Sequence, residues 1–326
     1  MNILVAGANG FIGMNLVLSL LRKGHHVVMS YRDDLTAVNE KVLAPYGDQV
    51  VFCKGDLLEK STFDKLAEYP IDAIINGAIM TSTGDDELSY FIPMCKINLQ
   101  TNVNLMEFAL RKKVKRYLYI SSSGVYGSYS NPGDCVYEDS QLDLFSTYCV
   151  TKYASELLVA QMGRLSGMKT VTARIAAPYG PFERVTDGRT HMSAVYKMVH
   201  MALRGEPAVI YGKDVVRDWT YVSDTVQAIT RLIEAKELKY DVYNVSTSVD
   251  VSLQQIAEAV KKACGSFRYE FTDCLEKANV AMLPEQQRGA LSIKRLQEDT
   301  DYQVEYDIFR GVQEYYQILA QEAEHV

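Results

Sequence analysis

The chain has 326 residues, of which 48% are hydrophobic and 23% charged, and a formal net charge of −7. That length holds one large α/β domain with a smaller lobe. The acidic balance argues against general affinity for nucleic acid or an anionic membrane surface, and no apolar run is long enough to span a bilayer, so any phosphate has to be recognised by a local pocket.

Residues 2–6 are a short apolar run that ends in glycine, and apolar residues then recur at helical spacing through Phe11, Leu16, Leu20 and Leu21. Strand, turn and helix follow from that pattern. Further strands are expected near 26–31, 50–53, 72–76, 116–121 and 170–175, with helices near 88–111 and 147–165. Strands alternating with helices pair in parallel through right-handed crossovers, which predicts an α/β fold of Rossmann type, a doubly wound sheet with helices on both faces. After about residue 176 the rhythm breaks at "APYGPFERVTDGRT". A helix near 190–204, short strands near 208–211, 215–222 and 242–245, and helices near 223–235, 252–264 and 305–321 are expected there. The chain therefore reads as a nucleotide-binding part, 1–176, and a smaller α/β substrate lobe, 177–326, with some elements interleaved. The opening "MNILVAGANGF" has no basic segment before its apolar run, unlike a secretory signal, and a cytoplasmic location is expected. Six scattered cysteines without a C-x-x-C pair read as reduced thiols, and five histidines without ligand spacing give no reason to expect a metal.

Four stretches carry chemistry. "GANGFIG" sets Gly7, Gly10 and Gly13 three apart directly after the first strand. Gly7 can turn tightly, Gly10 lets backbone N–H groups reach a pyrophosphate, and Gly13 lets the helix lie close to the sheet. "STYCVTKYASE" places Tyr148 and Lys152 four apart on one helix face, where an ammonium can favour the phenolate of a tyrosine acting as acid or base. "YLYISSSGVYG" ends a strand in Ser121, Ser122 and Ser123, at the sheet edge where α/β enzymes gather ligands. In "HHVVMSYRDD", the second strand ends in Tyr31 and Arg32.

Together with "GDL" (55–57), "NGA" (76–78), Asn98 in "INLQTNVNLMEFA", "RIAAPYGP" (174–181), "RDWTYVSD" (217–224) and "YNVS" (243–246), these stretches closely resemble the extended short-chain dehydrogenase/reductases. That superfamily holds nucleotide-sugar epimerases, dehydratases and reductases. The resemblance implies Tyr148 as acid/base, Lys152 as holder of the nicotinamide ribose, and Ser122, or alternatively Ser123, as holder of the reacting oxygen. It implies a cofactor groove built from Gly7, Asn9, Gly10, Phe11, Ile12, Gly13, Asp56, Leu57, Gly77, Ala78, Asn98, Ser121 and Pro178. Arg217 and Arg288 resemble arginines that meet a substrate diphosphate, a task suited to the planar guanidinium. Arg184, Arg189 and His191 in the charged loop 181–191 are further substrate candidates, set against a plain solvated loop. In NAD-specific members an Asp usually stands where this chain has Tyr31. Arg32 beside it suits a 2′-phosphate, so NADP is expected over NAD, although Asp33 and Asp34 follow at once.

Where 4,6-dehydratases of the superfamily carry an acid after the serine or threonine, this chain has Ser123 and Gly124, which argues against dehydration by that route. A reductase, slightly favoured through NADPH, and an epimerase without net redox change stay open, as does a smaller keto or hydroxy substrate in place of a nucleotide sugar. A binding protein without chemistry is disfavoured by the intact Tyr148, Lys152 and Ser122. A homodimer is the expected assembly.

Overall fold

A computed structural model describes residues 1–81, 87–127 and 133–324. Seven parallel strands form the central sheet: β1 (Asn2–Ala6), β2 (His26–Tyr31), β3 (Val50–Lys54), β4 (Ala73–Asn76), β5 (Arg116–Ser122), β6 (Lys169–Ile175) and β7 (Val242–Val245). Their spatial order is β7-β6-β5-β4-β1-β2-β3. The order reverses between β1 and β4, and in such sheets ligands bind outside the carboxyl ends of the strands at that switch.

Successive residues of β1 serve opposite layers, as a strand's period of two requires. Ile3 and Val5 pack into a core with helix α1 (Phe11–Arg22), whereas Leu4 and Ala6 face a second core with α2 (Thr101–Lys112) and α3 (Thr147–Ser166). The first core is completed by α4 (Val222–Glu234), which presents Val222, Val226, Ile229 and Ile233 at helical spacing. Both sheet faces are thus covered, and the doubly wound Rossmann-type sheet expected from the alternation is present.

The chain leaves the sheet after β6 and returns to it for β7, which pairs with β6 from Val242↔Thr172 to Val245↔Ile175. Residues 222–245 accordingly lie with the first 176 in space. The lobe has its own core between the helices Ala194–Arg204, Leu253–Ala263 and Ile308–Glu324 and a three-stranded sheet containing Ala208–Tyr211. Buried Asp218 fastens lobe to sheet. Its carboxylate accepts from the backbone N–H groups of Thr247, just past β7, and Leu291. Among the described residues, no helix is long and apolar enough to cross a membrane.

Candidate active site

A cleft of about 380 Å³ opens at the carboxyl ends of β1, β2 and β4. Its floor is the turn between β1 and α1. Gly7 adopts φ = 75°, and a Cβ there would strike the backbone of Gly77. A Cβ on Gly13 would overlap the carbonyl oxygen of Gly7, so only glycine lets α1 start this close to the turn. Gly10 caps α1 without a side-chain hydrogen bond, and the first turn holds no acidic residue. The N–H groups at that end are left for an anion, which the helix dipole also favours. This fits the pyrophosphate of a dinucleotide.

One end of the cleft is lined by Tyr31, Arg32, Asp56 and Leu57, the other by Gly77, Ala78 and Met80. Asn98, Ser121 and Pro178 are not among its lining residues. Asn98 stands behind the wall: it accepts from Met80 N at 2.8 Å and donates to Met80 O at 3.1 Å, fixing the backbone that faces the cleft. A π-helical turn, Lys96–Gln100, accommodates it. Ser121 is buried with its hydroxyl donated to Glu156. Pro178 lies in the short strand Ala177–Tyr179 beside Thr220. Arg32 is held by its neighbour, with Nε 3.0 Å from Asp33 Oδ1 and Nη2 3.3 Å from Asp33 Oδ2.

The Ser–Tyr–Lys group assembles where β5 ends and α3 begins. Ser146 caps α3 by accepting from Cys149 N, which orients its first turn and so Tyr148. Ser122 accepts from Gly124 N at 3.0 Å, and its hydroxyl is near enough to the Tyr148 phenol to draw its pKa down. Lys152 Nζ donates to Ile120 O at 2.7 Å and lies 5.8 Å from the centre of the Tyr148 ring. Burial pulls the Lys152 ammonium down to about 7, against the opposing pull of Glu156. Burial pushes the Tyr148 phenol up, while Ser122, Arg189 and Arg288 draw it down. Ser122, Arg189 and Arg288 are the groups that favour the Tyr148 phenolate, while burial opposes the charge of Lys152.

Arg288 Nε donates to Gly127 O at 2.7 Å and Nη1 to Ser123 Oγ at 3.0 Å, which places it beside the Ser122–Tyr148 pair. Arg217 Nε donates to Gln286 O at 2.7 Å. Burial and Arg288 draw the Arg217 guanidinium down to about 9, so it stays charged at neutral pH. No carboxylate among the described residues forms an ion pair with either arginine, leaving two adjacent, half-buried cations to be balanced.

Arg184 and Arg189 stand apart from these two. Both line the cleft of the glycine turn: Arg184 Nη2 donates to Asn9 O at 2.8 Å, and the Arg189 guanidinium lies 5.4 Å from the centre of the Phe11 ring. His191 is exposed and contacts its neighbour Thr190. Sequence reasoning did not single out Thr81, Asp187 and Gly188, which also line the cleft. The position of Thr81 just past "NGA", at the end of β4, was the available signal.

A reversing parallel sheet, an open helix N-terminus at its switch point and a Ser–Tyr–Lys group at the adjacent strand end define the extended short-chain dehydrogenase/reductase class. The NAD dependent epimerase/dehydratase family model matches residues 3–246, and the chain belongs to that family. It is 30% identical over 270 residues to the low-salt glycan biosynthesis protein Agl12 of Haloferax volcanii, covering 81% of this chain and 83% of that one. It is 28% identical to the uncharacterized UDP-glucose epimerase YtcB of Bacillus subtilis, over 81% and 83% of the two chains. A UDP-glucuronic acid 4-epimerase variant from Bacillus cereus, solved with UDP-4-deoxy-4-fluoro-glucuronic acid and NAD, superposes with a TM-score of 0.80 at 25% identity, over 99% of this chain and all of that one.

The depressed Lys152 has a sign that can be checked. Its folded value of about 7 lies below the ordinary 10.5, so between those limits the unfolded chain binds the extra proton and stability rises with pH. The thermal midpoint of the dinucleotide-free protein, compared with Lys152→Met, is expected to gain on the variant as pH goes from about 7 to 9.5. A difference that does not change over that window would contradict the buried, depressed lysine.

Proposed function

We propose that the protein is a nucleotide-sugar epimerase that oxidises one carbinol carbon and reduces it again from the opposite face. The observation that carries this reading is the pair Arg217 and Arg288, two cations without a carboxylate partner among the described residues, set beside Ser122 and Tyr148. Two guanidinium groups suit a sugar diphosphate. The epimerase names and ligands of the relatives support the same substrate class.

A bound nicotinamide dinucleotide supplies the hydride acceptor for the sugar carbon and then the donor. The N-terminus of α1 with Gly7, Gly10 and Gly13 would hold its pyrophosphate, Asp56 and Leu57 its adenine, and Lys152 its nicotinamide ribose. Ser122 holds the sugar oxygen. Tyr148 takes the hydroxyl proton as the carbon is oxidised and returns it on reduction, with Arg288 and Arg189 favouring the phenolate. Ser123 is engaged by Arg288 and Gly124 has no side chain, so neither position offers the acid that water elimination requires. A net reductase would use the same groups and differs only in releasing oxidised cofactor at each cycle. NADP is supported by Arg32 and opposed by Asp33, with which a 2′-phosphate has to compete.

The protein is proposed to act as a homodimer through α2 and α3. Val103 and Leu110 on α2, and Val150, Leu157 and Leu165 on α3, are exposed at intervals of seven or eight residues, so each helix carries an apolar stripe outward. A second copy would cover both stripes.

Tyr148→Phe is expected to lower turnover of UDP-glucose, or of whichever UDP-sugar proves active, by at least about a thousandfold while dinucleotide affinity changes little. A variant that keeps its activity would exclude Tyr148 as the acid/base. Product stereochemistry followed together with cofactor absorbance separates epimerase from reductase, because only the reductase consumes NADPH in proportion to product. Arg32→Ala is expected to weaken NADP binding about tenfold and NAD binding little, as judged by dissociation constants. Equal losses would remove the case for a 2′-phosphate site. Sedimentation velocity should find a dimer in the wild type and a monomer in Leu157→Arg, and a monomeric wild type at micromolar concentration would rule out the α2/α3 interface.

A further inference from the structure

Residues 181–193 run across the mouth of the glycine-turn cleft and are fastened on both of its sides. At the root, Asn15 on α1 donates to Pro181 O at 2.9 Å. Arg184 then reaches the turn at Asn9 O, at 2.8 Å. Gly188 O, at the far side, accepts from both the backbone N–H and the hydroxyl of Thr81, at 3.0 and 2.9 Å. Between these anchors the segment is closed on itself. Thr186 and Arg189 exchange backbone N–H···O bonds of 3.0 Å, and the buried Glu183 carboxylate accepts from Arg189 at 2.5 Å and from the Ser193 hydroxyl at 3.0 Å. A loop tied this way is a compact unit packed by its own side chains. Phe182, at its entry, holds φ = 65°, a left-handed conformation that side chains disfavour and that marks a turning point of the chain.

The chemistry facing the cleft is cationic and incompletely matched. Arg184 forms no ion pair with a carboxylate among the described residues. Arg189 has its Nε buried without a hydrogen-bond partner, although Nη2 is bound to Glu183. Both side chains line the same cavity as Gly10 and Gly13, whose helix end offers free N–H groups to an anion.

We propose that 181–193 is a strap that closes over the dinucleotide, and that Arg184 and Arg189 serve its diphosphate instead of the sugar. The strap must swing away from Asn9 and Thr81 before the dinucleotide can leave, so the bonds that hold it there limit the rate of release. This rests on the dinucleotide reading of the cleft and extends it from where the cofactor sits to how long it stays. Retention suits a reaction that returns its hydride each cycle.

The test uses NADH as the probe. The full-length protein is loaded with NADH and mixed with excess NAD, and release is followed by the loss of NADH fluorescence. Thr81→Val, which removes only the hydroxyl bond to Gly188, is expected to release NADH about fivefold faster than wild type, and Arg184→Met at least about tenfold faster. Release from both variants within twofold of wild type would overturn the strap, as would an Arg184→Met variant that binds UDP-glucose weakly while NADH release stays normal. Failure of the wild type to bind any NADH is a separate outcome that overturns the dinucleotide reading together with the strap.

Discussion

The candidate active site depends on one buried ion pair behind it. Arg174 on β6 donates through Nε and Nη2 to Glu156 on α3, with Nη2 2.7 Å from Oε2, and both side chains are almost fully buried. An isolated charge at such depth costs several kcal/mol, and this pair is tolerable because its remaining groups are also matched. Glu156 receives the Ser121 hydroxyl, while Arg174 Nη1 reaches the Tyr126 hydroxyl and the carbonyl of Glu138. Tyr126 in turn donates to Asn244 on β7. One network therefore ties the carboxyl ends of β5, β6 and β7 to the helix that carries Tyr148 and Lys152. Ser122 and Tyr148 come from segments 26 residues apart in sequence, and this lattice sets their separation.

The same lattice controls charge. Glu156 lies one helical turn beyond Lys152 and is the group that opposes its loss of a proton. With Lys152 poised near neutrality and Tyr148 influenced by Arg189 and Arg288, the protonation of the site depends on residues from α3, the loop 181–193 and the lobe together. Arg189 on the loop 181–193 and Arg288 on the lobe therefore act on the tyrosine from two separate parts of the chain.

Much of this was legible in the sequence because it is local. The glycine turn, the apolar strand runs and the Tyr148/Lys152 spacing each depend on a few adjacent residues, and the sheet and its switch point follow from their alternation. Features that depend on distant partners were not. Arg184 reads like Arg217 in sequence, yet one reaches Asn9, 175 residues away, and the other Gln286. Asn98 resembles a groove residue, but a π-turn directs it to the backbone of Met80. The charge state of Lys152 follows from depth of burial, which spacing along a helix does not encode.

The place of β7 has a consequence for how the chain is made. The first 176 residues hold six of the seven strands, and without β7 the outer edge of β6 would be unpaired. Leu16, Val17 and Leu20 of α1 also lack the helix Val222–Glu234 that will cover them. A chain made only that far would lack the partner of one strand and the cover of one apolar face. The sheet of the nucleotide-binding part is thus completed by a strand that lies some way past it in sequence, and exposed edges and apolar faces of this kind are what make incomplete chains prone to wrong pairing.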